Sequence, residues 1–197
     1  MQKLVIASNN PGKLREFQMM LAPLGIEVLT QSQLGIAEAE EPHRTFIENA
    51  LAKARHVSAA CGLPALADDS GICVEALGGA PGVLSARYAG EPKSDMRNNK
   101  KLLQEMQGIT DRRAHYYCVL VLVGAASDPQ PLIAEGEWHG EIAHKERGGG
   151  GFGYDPLFWL PELGRMSAEL SRDEKAQISH RAKALQILLQ RLNASGR

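Results

Sequence analysis

The sequence predicts an α/β fold, a long mixed β-sheet flanked by helices. Three observations predict it. The first thirty residues read as strand, polar turn, helix, strand. Apolar residues at helical spacing then alternate with short β-branched runs. The later strands lie close enough in sequence to pair as hairpins, whereas the early ones need a crossover. No repeat, charged tail or Pro/Ser-rich linker interrupts the 197 residues, so residues 1–197 are read as one domain.

Taken in order, Leu4–Ala7 is a short apolar strand, and Lys13–Ala22 a helix with Leu14, Phe17, Leu21 and Leu24 at helical spacing. Pro23 and Gly25 end that helix, and Ile26–Leu29 is the second strand. A polar loop with Glu38, Glu40 and Glu41 leads to Thr45-x-x-Glu48, a capping box for a helix reaching Cys61 and stopped by Gly62 and Pro64. Its apolar face is Phe46, Ile47, Ala50, Leu51, Ala54 and Val57; its polar face carries Glu48, Asn49, Lys53 and His56. Pro64–Ala67 is a strand that ends in Asp68-Asp69-Ser70-Gly71, and Ile72–Ala76 is extended again. A Gly/Pro-rich loop from Gly78 to Gly90 precedes a helix over Ser94–Met106. Ala114–Val123 is the strongest strand. Leu132–Glu137 and Gly140–Ala143 read as a shorter antiparallel pair. Ser171-x-x-Glu174 caps a helical end whose stripe is Ile178, Ala182, Leu185, Leu189 and Leu192; the sequence leaves open whether it breaks near Ser179.

Composition removes several function classes. With 22 Lys+Arg against 23 Asp+Glu the formal charge is −1, which disfavours nucleic acid as a partner but not a small anion held by a few cations. Three scattered cysteines without a C-x-x-C pair suit a reducing compartment. The N-terminal apolar stretch is too short for a signal peptide, and the longest apolar run, Tyr116 to Val123, is far below the roughly 18 residues of a membrane span. A cytoplasmic protein without membrane contact is expected.

Four segments carry chemistry. Ser8-Asn9-Asn10-Pro11-Gly12-Lys13 joins a strand to a helix start, where amide N–H groups, the helix dipole and one ammonium suit phosphate. It is not a Walker A loop, because Ala7 stands where the first glycine belongs and Leu14 follows Gly12-Lys13. Asp68-Asp69 places two carboxylates side by side, and adjacent strand residues point to opposite faces, so one of them is expected to enter a site. A hard cation such as Mg²⁺ would neutralise it, aided by glutamates of the Glu38–Glu41 loop. Gly148–Pro156 satisfies G-x-G-x-x-G only trivially. It offers a bare backbone to a planar ligand, with Phe152 and Tyr154 as stacking surfaces and Asp155 as acceptor. Lys175, Ser179, His180 and Arg181 gather donors suited to a phosphate or a base carbonyl.

Together these segments resemble the inosine triphosphate pyrophosphatase family, the dITP/XTP pyrophosphatases. The resemblance rests on Ser8-x-Asn10-x-x-Lys13, Glu40-Glu41, Thr45-Phe46-x-Glu48-Asn49-Ala50-x-x-Lys53-Ala54, Asp68-Asp69-Ser70-Gly71, Leu77-Gly78-Gly79-x-Pro81-Gly82, Ser85-Ala86-Arg87-Tyr88, Gly151-Phe152-Gly153-Tyr154-Asp155-Pro156 and Ser179-His180-Arg181, in that order along nearly the whole chain. It implies hydrolysis of non-standard purine triphosphates to the monophosphate and pyrophosphate, with Mg²⁺, by a homodimer whose protomers have two lobes and a nucleotide cleft between them. It further implies that Ser8, Asn9, Asn10, Pro11, Gly12 and Lys13 hold the triphosphate. Glu40 or Glu41 and Asp69 would face the metal, with Asp69 as the base. Ser70, Phe152, Gly153, Tyr154, Asp155, Lys175, His180 and Arg181 would complete the nucleotide site.

Overall fold

The protein, as a computed structural model, is described over residues 2–195. Its strands are β1 (Lys3–Ile6), β2 (Glu27–Thr30), β3 (Ala65–Val74), β4 (Arg113–Val123), β5 (Leu132–Ile142), β6 (Phe158–Leu160) and β7 (Arg165–Met166). Its α-helices are α1 (Pro11–Leu21), α2 (Phe46–Cys61), α3 (Asp95–Glu105), α4 (Arg172–Ile178) and α5 (His180–Ser195). The seven strands form one sheet in the order β2-β1-β3-β4-β5-β6-β7. β1 pairs parallel with both β2 and β3, whereas β6 pairs antiparallel with β5 and β7, so the sheet is mixed and flanked by helices as expected.

The predicted β-α-β opening is present, with α1 starting two residues earlier than its apolar spacing suggested. Asn10 caps it, accepting from the amides of Gly12 (2.9 Å) and Lys13 (3.1 Å), and Pro11 occupies the first turn, where its fixed φ suits a helix. α2 is capped by Thr45, whose side chain accepts from the Glu48 amide, and it ends at Gly62, whose φ of 69° is left-handed.

Two segments depart from the sequence expectation. Asp68-Asp69-Ser70-Gly71 does not end a strand: β3 runs straight through it, with Asp68 and Asp69 both buried. The charges persist inside the sheet because each carboxylate has cationic partners there, so no turn is needed to bring them to water. Leu132–Glu137 and Gly140–Ala143 are not a hairpin either; both lie on the single strand β5. Gly140 continues that strand instead of turning it. A Cβ there would lie 2.5 Å from the Trp159 carbonyl oxygen and 2.8 Å from the Phe158 ring, so the missing side chain is what lets β6 pair alongside.

The chain packs as two compact units. The first holds the residues up to Asp69, Cys118–Gly136 and those from Arg181 on; the second holds Ser70–Tyr117 and Glu137–His180. The core of the first gathers Leu4, Ile6, Phe17, Leu21, Leu66, Leu120 and Leu185. The core of the second gathers Ile72, Leu102, Tyr116, Trp138, Tyr154, Leu157 and Phe158. Among the described residues no helix is long and apolar enough to cross a membrane.

Candidate active site

In the first unit the two adjacent carboxylates of β3 serve different partners, as alternation along a strand requires. Asp68 accepts from Arg181 Nε at 2.8 Å and from the Cys118 thiol at 3.1 Å, and it pairs with Lys13. Burial opposes its ionisation, but the Arg181 guanidinium and the Lys13 ammonium prevail and hold the carboxyl well below the usual carboxylate range. Asp68 is therefore a fixed anion that anchors two cations.

Asp69 is set differently. Its Oδ1 lies 2.9 Å from Lys53 Nζ and its Oδ2 3.4 Å from Asn49 Nδ2. Burial raises its pKa, Lys53 and Lys13 pull the other way, and Glu41 adds to the rise. A carboxyl lifted above its ordinary value binds protons more readily, which is what a general base requires. Lys53 Nζ also meets Glu41 Oε1 at 2.7 Å. Burial disfavours the charge of this ammonium, yet Asp69 and Glu41 more than compensate and raise its pKa. Glu41 is half-buried, whereas Glu40 is exposed. The acidic loop is tied to α2 in two places. The Asn49 carboxamide exchanges hydrogen bonds with the His43 backbone, and His56 Nε2 lies 2.9 Å from the Ala37 carbonyl oxygen.

Near Lys13, the Gly12 and Lys13 amides expected to cradle phosphate are occupied by the Asn10 cap, and Ser8 Oγ accepts from the Asn10 amide. The segment's cationic contribution is the Lys13 ammonium. Asn9, Asn10 and Pro11 are exposed at its surface.

The second unit organises the glycine-rich segment around Asp155, which is 1 % exposed. Asp155 accepts from the Phe152 amide (2.8 Å), the Ser167 hydroxyl (2.8 Å) and Lys175 Nζ, and Tyr116 Oη lies at 3.4 Å. Gly151 must be glycine: its φ is +75°, and a Cβ would lie 2.0 Å from Asp155 Oδ2. Lys175 Nζ sits 5.1 Å from the centre of the Phe152 ring. His180 stacks on Tyr116 at 4.8 Å with an 8° tilt. Of the two aromatics expected to stack on a ligand, Tyr154 proves to be core. It is 3 % exposed, and its hydroxyl donates to the Ser85 carbonyl at 2.8 Å, leaving Phe152 as the accessible ring. The amides of Phe152, Gly153 and Asp155 bond to Asp155, Asp95 and the Phe152 carbonyl, and the Tyr154 backbone bonds to Tyr116. Asp155 thus organises the loop with the acceptor capacity first assigned to a ligand.

The chain breaks between α4 and α5 at Ser179, whose extended backbone (φ −68°, ψ 162°) separates the two helices. His180 falls in the second unit and Arg181 in the first, where Arg181 is 1 % exposed and also pairs with Glu16. Ser70, half-buried on β3, opens the second unit. Sequence reasoning gave no role to Lys53, Asn49, Glu16 or Cys118. For the first two a signal existed: Asn49 and Lys53 are four residues apart on one face of a helix, flanking Ala50 and Ala54, which are fully buried.

This combination defines a class: an α/β protein whose mixed sheet carries a buried carboxylate paired with a lysine. Comparison with known proteins gives the family. The model of the Ham1 family matches residues 4–191. A dITP/XTP pyrophosphatase of Nitrosomonas europaea is 66% identical over 193 residues, covering 98% of this chain and 95% of that protein. The solved structure of a HAM1 protein from Coxiella burnetii superposes with a TM-score of 0.91 at 45% identity, covering 98% of this chain and 100% of that one. The Staphylococcus aureus Ham1 protein gives 0.87 at 41% identity with the same coverage. The chain belongs to the Ham1 family, in agreement with the resemblance found in its sequence.

Proposed function

We propose that the protein hydrolyses non-standard purine nucleoside triphosphates, ITP, dITP and XTP, to the nucleoside monophosphate and pyrophosphate, clearing them from the nucleotide pool. The observation that carries this reading is the Asp69–Lys53–Glu41 arrangement, in which burial raises the pKa of the Asp69 carboxyl from its ordinary value. The relatives' activity supports it, since proteins named dITP/XTP pyrophosphatase are 59% to 66% identical to nearly the whole chain.

Asp69 takes a proton from a water molecule, whose oxygen attacks the α-phosphorus. The bond from that phosphorus to the bridging oxygen breaks, and pyrophosphate leaves with the bridging oxygen. Lys13 and Lys53 stabilise charge on the phosphate oxygens. Glu41 and Asp69 supply hard oxygen donors that would suit Mg²⁺. Bound there, Mg²⁺ would neutralise polyphosphate charge. Glu41, held by Lys53, is the metal-facing residue of the Glu40–Glu41 pair. In the second unit Phe152 offers a face to the base, with Ser70, Gly153, Tyr154, Asp155, Lys175 and His180 around it as nucleotide-binding residues; Arg181, in the first unit, is a further nucleotide-binding residue. Ser8 to Lys13 serve the triphosphate. A cytoplasmic homodimer is part of the reading.

The test is pyrophosphate release across a panel of purine and pyrimidine triphosphates in ¹⁸O-water. Pyrophosphate from ITP, dITP and XTP, slow turnover of ATP and GTP, and label in the monophosphate are expected. Orthophosphate as first product, or label confined to pyrophosphate, overturns the reading.

A further inference from the structure

α3 meets the glycine-rich segment at one residue and engages both of its backbone groups. The Gly153 amide donates to Asp95 Oδ2 at 2.7 Å, and the Gly153 carbonyl accepts from Asn99 Nδ2 at 3.2 Å. Gly153 has a φ of +62°, so its two neighbouring peptide planes are set by whatever holds these groups. Asn99 is 4 % exposed, and its Oδ1 has no hydrogen-bond partner among the described residues. A buried carboxamide oxygen left unbonded is a cost to the fold. The carboxamide is thus spent on the Gly153 carbonyl rather than on packing. The neighbouring Asn98 shows what a purely architectural asparagine looks like here: it donates to the Ser85 and Ala86 carbonyls and accepts from the Ala89 amide. The rest of the loop is braced from other sides, by Asp155 on Phe152 and by Tyr116 on Tyr154. Among the described residues only α3 hydrogen-bonds the Gly153 backbone, next to the accessible Phe152 ring.

We propose that Asp95 and Asn99 are positioning residues that clasp Gly153 and so hold the Phe152 ring in its base-binding orientation, making α3 a determinant of purine selectivity that does not itself touch the nucleotide. This rests on the reading that Phe152 faces the base. The clasp acts before binding: a loop already ordered spends none of the base's binding energy on ordering itself.

The experiment compares Asn99→Ala, Asp95→Ala and Asp95→Asn in the full chain. Asp95→Asn keeps an acceptor for the Gly153 amide and is the rescue variant. Each is assayed for KM and kcat with ITP, for the ratio of kcat/KM between ITP and GTP, for inhibition by inorganic tripolyphosphate, and for Tm. Losing one clasp bond is expected to raise KM for ITP by roughly ten-fold with kcat within about two-fold, and to lower the ITP/GTP ratio. Tripolyphosphate inhibition, which involves no base, is expected to be unchanged, and Asp95→Asn to behave as wild type. Unchanged KM and ITP/GTP ratio in the two alanine variants overturn the proposal. So does parallel weakening of ITP and tripolyphosphate, or a variant too unstable to assay alongside an Asp95→Asn protein that is equally impaired, because each marks a merely structural role. Wild-type protein that ignores ITP but hydrolyses another triphosphate overturns the functional reading instead, a result visible before any variant is made.

Discussion

At the scale of single residues, two adjacent aspartates of one strand are fitted for opposite tasks. Asp68 anchors Arg181 and Lys13, and removing its charge takes a carboxylate from both, leaving the fully buried Arg181 with less counter-charge although Glu16 remains beside it. Asp68→Asn is therefore expected to destabilise the protein by about 3–5 kcal/mol, read as a fall in urea midpoint. Because the folded pKa of Asp68 lies below its unfolded one, that stabilisation is complete above the ordinary carboxylate range and is lost as pH falls through that range toward the depressed value. Asp69→Asn is expected to cost far less stability, since Lys53 keeps Glu41 as a partner, yet to lower kcat by at least about 10²-fold with nucleotide binding retained, measured by calorimetry. Asp69 carries the inverse pH signature. Its folded pKa is raised, so it is deprotonated, and active as a base, only above that raised value. Turnover should fall as pH drops through it, earlier than an ordinary carboxylate would dictate, and a pH–rate profile checks this. The sequence showed the pair and its alternation. The resemblance singled out Asp69, but what Asp68 does depends on Arg181, 113 residues away in the chain.

At the scale of elements, capping and periodicity were legible and pairing was not. Thr45 and Gly62 bound α2 as their chemistry requires, and Ser171 caps α4 in a full capping box. The two missed features are both in strands. β3 continues through Asp68-Asp69-Ser70-Gly71, and β5 continues through Gly140, where a turn looked natural from composition. In each case a tertiary neighbour decided the outcome: cations on α1, α2 and α5 beside β3, and the approach of β6 to β5. Gly140→Ala tests the second. With a Cβ 2.5 Å from the Trp159 carbonyl, the substitution should force the strands apart and destabilise by about 1–3 kcal/mol, measured by thermal or denaturant unfolding.

At the scale of the whole molecule, the chain forms two units from interleaved segments, and the division falls between Asp69 and Ser70 and again between His180 and Arg181. Each unit holds a different kind of group: carboxylates with their cations in the first, a braced loop with one accessible aromatic in the second. A nucleotide bound by the folded state alone must raise its stability by mass action. For Asp69→Asn protein with Mg²⁺, ITP at about 100 times its Kd should stabilise by about 2.7 kcal/mol, and ATP at the same concentration by less; differential scanning calorimetry reads both. By itself the sequence determined the α/β class, the body of most helices, the caps at Thr45 and Ser171, and the family, because these follow from local spacing, residue type and ordered motifs. Only the tertiary structure decided that Asp68 anchors while Asp69 is raised, that Lys53 joins Asp69 to Glu41, that Tyr154 is core and that α3 holds Gly153. Charge, burial and hydrogen bonding depend on which distant residues meet, and no local pattern encodes that.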